Sequence, residues 1–308
     1  MAGATTQRTG RPRRSAASDP APWEGIWGFP VTPFGRRGVD LDLLARGAEH
    51  QIEGGVDVLC ACGAIAQVGE LTAVEHEACV RALVNAAAGR VPTIATLIDG
   101  ADAARVGAAA VGAGAAGLVV IPTSPDAAAT ARRLHAIARA APGVPIVLYH
   151  RPPLRLDPTQ LRRLAAAVPE LAWVKDGHRD VRLFRQLAAV ERLRWVSAWE
   201  DVALAFWALG CRTFAPASAA YAPAYSAAWL ARLRSNDLAD ARRLLEAHAY
   251  PLIDLRLARK GIDIAVVKAA MEACGVPAGG LRAPARRLSA VERTRVHELV
   301  GSMRKALR

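Results

Sequence analysis

Short apolar runs alternate along the chain with longer stretches in which apolar residues recur at helical spacing. The runs follow one another at intervals of roughly 20–35 residues, which is the length of one β/α unit. Most runs lack polar alternation, as expected for parallel strands that are covered on both faces. The eight predicted strands are Gly25–Val31, Val56–Cys62, Val91–Leu97, Gly117–Pro122, Pro145–His150, Leu171–Lys175, Leu193–Ala198 and Thr213–Pro216. The pattern predicts an α/β fold in which the sheet closes into a (β/α)₈ TIM barrel.

The segments between these runs carry apolar residues three and four positions apart, which predicts helices. Thr72 followed by Glu75 has the spacing of a capping box at a helix start. The predicted helices include Leu41–Glu53, Ala73–Ala88, Ala127–Ala140, Leu238–Leu257, Asp263–Cys274 and Ser289–Leu307.

The change of pattern along the chain predicts three parts. Residues 1–22 form a disordered basic leader, residues 23–222 the barrel, and residues 223–308 a C-terminal helical extension packed on the barrel. The alternative fold is a doubly wound open sheet, which needs a glycine-rich phosphate turn after the first strand. The residues there are Thr32-Pro-Phe-Gly35, which favours the barrel.

The chain has 308 residues, of which 52% are hydrophobic and 22% charged, as in ordinary soluble proteins. It has neither an apolar signal segment nor an uninterrupted apolar stretch of about 20 residues, so we expect no membrane span. Its five cysteines lie in apolar segments, which is typical of buried thiols in a reducing compartment. We therefore expect a cytoplasmic protein.

The net charge of +12 raises the possibility of a nucleic-acid partner. The charge is almost entirely arginine and is spread along the chain, with one run in the leader, and no nucleic-acid-binding motif accompanies it. A solvated basic surface is therefore favoured over binding to nucleic acid, which would predict salt-dependent binding to duplex DNA.

Two residues at predicted strand ends are candidates for catalysis, because a TIM barrel carries its active site there. Lys175 ends the sixth predicted strand. Burial lowers a lysine pKa, and only the neutral amine attacks a carbonyl to form a Schiff base. The alternative is a lysine that reaches the surface or pairs with Asp176. Tyr149 ends the fifth strand, where a phenol could transfer a proton, or could be an ordinary core tyrosine.

Further candidates follow other strands and would bind the substrate. Arg151 lies just after the fifth strand and could bind a carboxylate, or be an exposed loop arginine. The turn of Gly63, Ala64 and Ile65 after the second strand could present backbone N–H groups to an anion. Ser218, after the eighth strand, could add a hydroxyl group.

Several motifs resemble the dihydrodipicolinate synthase / N-acetylneuraminate lyase superfamily, from about Trp23 to the C-terminus. Within it, the chain is most similar to the branch of the 5-dehydro-4-deoxyglucarate dehydratases. The motifs are Gly28-Phe-Pro-Val-Thr-Pro-Phe34, Ala88-Gly-Arg-Val-Pro92, Tyr149-His-Arg151, Lys175-Asp-Gly-His-Arg-Asp180 and Lys260-Gly-Ile-Asp-Ile-Ala-Val-Val-Lys268.

The resemblance implies a Schiff-base lyase that acts on a small 2-keto acid. Lys175 would form the imine, Tyr149 would transfer protons beside it, and the turn Gly63–Ala66 would bind the keto-acid carboxylate. The dehydratases of this branch remove water and carbon dioxide from 5-dehydro-4-deoxyglucarate to give 2,5-dioxopentanoate. No metal or organic cofactor is implied, and homodimers or homotetramers are expected.

The chain departs from the family pattern at two places. The turn, usually Gly-Thr-Thr-Gly-Glu, reads Gly63-Ala-Ile-Ala-Gln67, and a second family tyrosine is replaced near Thr123 and Ser124. Three interpretations stay open. The substrate is another, less polar 2-keto acid. Or the enzyme is a class I aldolase or synthase whose proton carriers include Thr123, Ser124, His150 or His178. Or the barrel is non-catalytic and binds a small acid.

Overall fold

A computed structural model describes residues 23–306. Its main sheet has eight parallel strands whose order around the sheet is their order along the chain. They are β1 (Trp27–Gly28), β2 (Val58–Ala61), β3 (Thr93–Ile98), β4 (Leu118–Ile121), β5 (Ile146–His150), β6 (Leu171–Asp176), β7 (Arg194–Ser197) and β8 (Thr213–Phe214). Ile26 forms a parallel bridge with Phe214, so β8 returns to β1 and the barrel closes. The predicted (β/α)₈ fold is confirmed.

The α-helices surround the barrel and continue beyond its last strand. They are α1 (Leu41–Glu53), α2 (Ala73–Ala87), α3 (Ala103–Gly112), α4 (Ala127–Ala140), α5 (Pro158–Ala167), α6 (Val181–Leu187), α7 (Ala203–Ala208), α8 (Pro223–Arg234), α9 (Leu238–Leu244), α10 (Tyr250–Leu257), α11 (Asp263–Ala273) and α12 (Ala290–Ala306). The predicted capping box is present at the start of α2, where the Glu75 N–H donates to Thr72 Oγ1 and the Thr72 N–H donates to the Glu75 carboxylate.

The prediction of one continuous α-helix over Leu238–Leu257 is wrong in one respect. Residues 245–249 form a π-helical segment between α9 and α10. We attribute it to Pro251, because proline has no N–H to donate and its ring crowds the carbonyl group four residues earlier.

Three tryptophans fill the end of the barrel at which the strands begin. The ring centroids of Trp23, Trp27 and Trp173 lie 5.7–6.3 Å apart in pairs, and Trp27 Nε1 donates to the Trp23 carbonyl oxygen at 2.8 Å. Successive strand residues point to opposite faces. Trp173 therefore points into the barrel, Val174 towards the helices, and Lys175 into the barrel again, near the end where the strands finish.

The C-terminal helical extension is fastened to the loop that follows β1. Lys268, on α11, is buried, and its Nζ donates to the carbonyl oxygens of Thr32, at 2.6 Å, and of Gly280. The Gly280 N–H in turn donates to the Phe34 carbonyl oxygen at 2.8 Å. These bonds hold the extension against the end of the barrel where the strands finish.

The predicted leader, residues 1–22, lies outside the described residues. Within residues 23–306, no helix has the length and apolar character needed to cross a membrane. Cys274 is partly exposed, and the other four cysteines are buried.

Candidate active site

Lys175 projects into the barrel from β6, directly beside Tyr149 on β5. The residue is 6% exposed, and its Nζ lies 3.8 Å from the ring centroid of Phe29 and 4.5 Å from that of Tyr149. Within residues 23–306, its ammonium group has no hydrogen bond and no ion pair. Burial lowers the pKa of Lys175 to about 8; the Cys60 thiol opposes this shift and the Arg151 charge adds to it. A substantial fraction of the amine is therefore neutral at mildly alkaline pH.

The alternative in which Lys175 pairs with Asp176 does not match the structure. Adjacent strand residues face opposite sides of the sheet. Asp176 is buried on the outer side, where its carboxylate accepts a hydrogen bond from the Arg179 N–H at 3.1 Å. Burial raises the pKa of Asp176 to about 6.

Tyr149 lines the same space as Lys175 and can present its phenol to a ligand there. The residue is 8% exposed, and within residues 23–306 its hydroxyl group makes no hydrogen bond. Burial raises its pKa, while the positive charges of Arg151 and Arg256 oppose that shift. The phenol thus keeps its proton at neutral pH and can donate it to an oxygen atom of a ligand.

Phe29 covers Lys175 because Gly63 leaves room for its ring. A Cβ atom at position 63 would lie 2.2 Å from Phe29 Cδ1, closer than any side chain could be accommodated without movement. Gly63 thus supports the wall of the site.

A cavity of about 330 Å³ opens in front of the lysine, a volume that suits a small organic molecule. Its wall contains both apolar and charged residues. The lining residues are Phe29, Ala64, Ile65, Tyr149, Arg151, Pro152, Lys175, Gly177, Arg179, Ala198, Trp199, Ala215, Ala217, Arg256 and Asp263. Five of the residues proposed from the sequence thus meet at one cavity, namely Lys175, Tyr149, Ala64, Ile65 and Arg151.

Ser218 does not line this cavity, contrary to the expectation that it adds a hydroxyl group to the site. It is fully buried, its Oγ lies 2.8 Å from the Ser226 Oγ, and its N–H donates to Glu200. The chain after β8 forms a 3₁₀ turn over Ala217–Ala220, which turns this side chain towards α8. Ala217 reaches the cavity instead.

Gln67, which stands where the family has a glutamate, has a structural role. It is buried, and its amide donates to the carbonyl oxygen of Arg282 at 2.8 Å. Its backbone has a φ of 57°, in the left-handed region. The residue links the turn after β2 to the C-terminal extension.

The alternative proton carriers named from the sequence also lie outside the cavity lining. Thr123 Oγ1 donates to Asp99 at 2.6 Å and accepts from Arg133 at 2.7 Å, while Ser124 Oγ accepts from the N–H of Asp126. Thr123 thus bonds both members of the Arg133–Asp99 ion pair, and Ser124 bonds the residue that caps α4.

The two histidines brace the loop that follows β5. His150 is fully buried, its Nε2 accepts from the Leu156 N–H at 2.9 Å, and burial lowers its pKa to about 3. The His178 ring lies 4.4 Å from it, centroid to centroid, and bonds the Leu154 carbonyl oxygen. Both therefore support the loop that carries Arg151.

Sequence reasoning missed Arg179, Trp199, Arg256 and Asp263. Arg256 left one weak signal, because it shares a buried helix face with Leu252 and Ile253. Within residues 23–306, no group of three or more His, Cys, Asp or Glu side chains is placed to hold a metal ion.

Comparison with known proteins identifies the family of this chain. The model of the dihydrodipicolinate synthetase family matches residues 22–303. A protein of Methylobacterium radiotolerans named "Probable 5-dehydro-4-deoxyglucarate dehydratase" is 31% identical over 91% of this chain and 95% of its own length. A protein of the same name from Saccharopolyspora erythraea is 33% identical over 91% of this chain and 93% of its own.

Solved structures agree with the sequence comparison. Dihydrodipicolinate synthase from Bacillus clausii superposes with a TM-score of 0.83 at 27% identity, over 92% of this chain and 98% of its own. YagE, a prophage protein of the dihydrodipicolinic acid synthase family from E. coli K12 in complex with pyruvate, superposes with a TM-score of 0.83 at 25% identity. The match covers 92% of this chain and 99% of the YagE chain. This chain belongs to the dihydrodipicolinate synthetase family and is a Schiff-base-forming lyase of that family.

Proposed function

We propose that Lys175 condenses with the keto group of a small 2-keto acid, and that the imine then undergoes dehydration and decarboxylation as in the glucarate branch. The observation that carries this proposal is the buried amine of Lys175, without a bonding partner in residues 23–306, facing a cavity of about 330 Å³. Its pKa of about 8 provides a neutral nucleophile. The curated relatives named as 5-dehydro-4-deoxyglucarate dehydratases support the reaction type.

The chemistry uses the lysine as its own electron sink. The Nζ atom attacks the keto carbon, water leaves, and a protonated imine forms. The iminium nitrogen then accepts the electron pair released when the carbon next to the imine carbon loses a proton. Loss of the β-hydroxyl group creates a conjugated double bond, through which the nitrogen can also accept the pair released when a carboxylate group further along the chain leaves as carbon dioxide. Expulsion of a β-hydroxyl group as water, followed by hydrolysis of the imine, returns the free lysine, so that no metal or organic cofactor is required in this scheme.

The remaining roles follow from positions around the lysine. The phenol of Tyr149 would donate a proton to the oxygen that leaves the keto carbon, and Arg151 would attract a carboxylate. The turn of Ala64 and Ile65 reaches the cavity without a side-chain hydroxyl group, so only its backbone N–H groups could contribute there. Gly63 and Ser218 would contribute through packing alone.

The lack of hydroxyl groups at Ala64 and Ile65 favours a second candidate, an aldolase or synthase on another 2-keto acid. Both candidates share the imine, and their products separate them, because an aldol cleavage releases a keto acid and an aldehyde whereas the dehydratase releases carbon dioxide. The proposal also includes the homo-oligomer and the cytoplasmic location that the family resemblance implies. Light scattering would test the oligomeric state.

Borohydride reduction in the presence of a panel of 2-keto acids tests the proposal. The chain has only four lysines, Lys175, Lys260, Lys268 and Lys305, so peptide mass mapping assigns any adduct to one of them. We expect one adduct, on Lys175, and none in a Lys175→Ala variant. Lys260→Ala serves as the matched control, because this lysine is exposed and outside the cavity. The proposal is wrong if no 2-keto acid labels Lys175, or if Lys260 and Lys305 are labelled equally.

A further inference from the structure

The proposed imine chemistry needs a proton acceptor that Lys175 and Tyr149 do not supply. Lys175 has no free amine once it is bonded to the keto carbon. Burial raises the pKa of Tyr149, so its phenol holds its proton at neutral pH and acts as a donor. Guanidinium groups, which take up no further proton, line the cavity at Arg151, Arg179 and Arg256. The proton that leaves the carbon next to the imine carbon must therefore go to another group.

Asp263 provides the only carboxylate that residues 23–306 contribute to the cavity wall. The residue is half-buried, and within the same described residues its carboxylate forms no hydrogen bond and no ion pair. Two other carboxyl groups, in the loop after β7, are engaged elsewhere. Asp201 pairs with Arg179 at 2.6 Å, and Glu200 accepts from the Ser218 N–H at 3.1 Å. The oxygen atoms of Asp263 are thus the ones available to a ligand in the cavity.

The helix α11 holds this carboxylate in a fixed position. It packs against the turn Ala64–Ala66 and against the 3₁₀ turn Ala217–Ala220, both of which also reach the cavity. Further along α11, the Nζ atom of Lys268 donates to the Thr32 carbonyl oxygen at 2.6 Å. A general base must lie within hydrogen-bonding reach of the proton that it removes, so a rigid support of this kind favours such a role.

The alternative is that Asp263 only stabilises its own helix. It lies in the first turn of α11, where a negative charge interacts favourably with the helix dipole. That role needs only a charge at the start of the helix, whereas Asp263 also reaches the cavity that contains Lys175. The two roles are compatible, and only the catalytic one requires proton transfer from carbon.

We propose that Asp263 is the general base that removes the proton from the carbon next to the imine carbon. The inference rests on the proposed imine at Lys175. The electron pair of the broken C–H bond forms a C=C bond, the pair of the C=N bond moves to the imine nitrogen, and a neutral enamine results. Asp263, now protonated, then donates that proton to the β-hydroxyl group as it leaves as water, which restores the carboxylate.

Hydrogen exchange at carbon tests Asp263 separately from imine formation. Pyruvate is incubated with the protein in D₂O, and the loss of its methyl signal is followed by proton NMR, while borohydride reduction measures the adduct on Lys175. In Asp263→Asn we expect the exchange rate to fall about 10²–10⁴-fold although the adduct still forms. Asp254→Asn, at an exposed position on α10 outside the cavity, should change neither measurement. Lys175→Ala gives the background rate.

Chemical rescue and stereochemistry provide independent measurements. In Asp263→Ala, added formate should restore part of the exchange, because a small carboxylate can enter the space that the side chain leaves. In the natural protein, one of the two hydrogens on the third carbon of 2-oxobutanoate should exchange faster than the other, by about tenfold or more, since a fixed base approaches from one side.

The outcomes separate this inference from the imine proposal. If Lys175 is labelled but a folded Asp263→Asn variant keeps the natural rate of exchange, Asp263 is not the base, and water or the carboxylate of the ligand takes the proton. Equal exchange of both hydrogens of 2-oxobutanoate in the natural protein, or no exchange while Lys175 is labelled, overturns the inference even if no variant folds. If no 2-keto acid labels Lys175, the imine proposal fails, and the role of Asp263 fails with it.

Discussion

Replacing Lys175 by methionine should stabilise the protein while removing the amine that we propose forms the imine. The side chain is buried, it has no bonding partner within residues 23–306, and methionine fills nearly the same volume without a charge. Active-site residues often lower the stability of a fold in this way, because a group prepared for reaction is not in its most favourable environment.

The expected gain in the free energy of unfolding follows from the pKa of the lysine. Burial lowers it from 10.5 to about 8. Each pKa unit corresponds to about 1.4 kcal/mol, so keeping the ammonium form in the folded protein at pH 7 costs about 3 kcal/mol. For a chain of this length, such a gain in the free energy of unfolding corresponds to a rise in Tm of roughly 4–6 °C.

The pH dependence of the difference in stability between the two proteins tests independently whether the substitution stabilises. Between pH 8 and 10.5 the unfolded chain keeps a proton on Lys175 that the folded chain has lost, so the contribution of Lys175 to the free energy of unfolding rises with pH. The advantage of Lys175→Met should therefore be complete below about pH 8 and should disappear towards pH 10.5. Thermal unfolding of both proteins at pH 7, 8.5 and 10 measures it.

Lys268 offers the matched control. Burial lowers its pKa to about 8 as well, but its Nζ donates to the carbonyl oxygens of Thr32 and Gly280. Lys268→Met would leave both oxygens without that donor, at roughly 1–3 kcal/mol each, so we expect no gain in Tm or a loss. A Lys175→Met variant that melts below the natural protein at pH 7, or a difference that does not narrow with pH, would refute the reasoning.

Two further predictions concern the same cavity. The rate of reductive labelling of Lys175 by a 2-keto acid should rise with pH and reach half its maximum near pH 8, because only the neutral amine reacts; an inflection near 10.5, the ordinary lysine value, would contradict the burial of the amine. Gly63→Ala should displace Phe29 from Lys175, lower the stability by about 1–3 kcal/mol and slow the labelling. Gly100→Ala is its control, because a Cβ there meets nothing within 4 Å, and equal melting and labelling of the two variants would count against this role of Gly63.

The fold was predictable because the relevant signals are local in the sequence. Strands covered on both faces are mostly apolar along their length, and most of the eight runs have that character. Each apolar run also shows where its strand ends, and the active site of a parallel barrel lies at the strand ends. Lys175 and Tyr149 could therefore be selected from the sequence. The capping box at Thr72 is equally local, since both of its members lie within one helical turn.

The rest of the site depends on contacts between distant parts of the chain. Nothing near Arg256 in the sequence shows that α10 faces the cavity, because that depends on how the extension packs. Ser218 misled the prediction for a related reason. β8 has only two residues, so the direction of the side chains after it is set by the 3₁₀ turn rather than by strand alternation.

The closure of the barrel also has a consequence for the order in which the chain folds during synthesis. The bridge that closes the sheet joins Ile26 to Phe214, and the hydrogen bond to the Thr32 carbonyl oxygen comes from Lys268, so both contacts join residues that are far apart in the chain. Contacts between such distant residues form late, because a long loop must close before they are made. When synthesis has just reached the end of β8, Lys175 is already part of the chain, while Arg256 and Lys268, which bonds the loop after β1, are still to be synthesised. The cavity acquires its final shape only when the last fifth of the protein emerges.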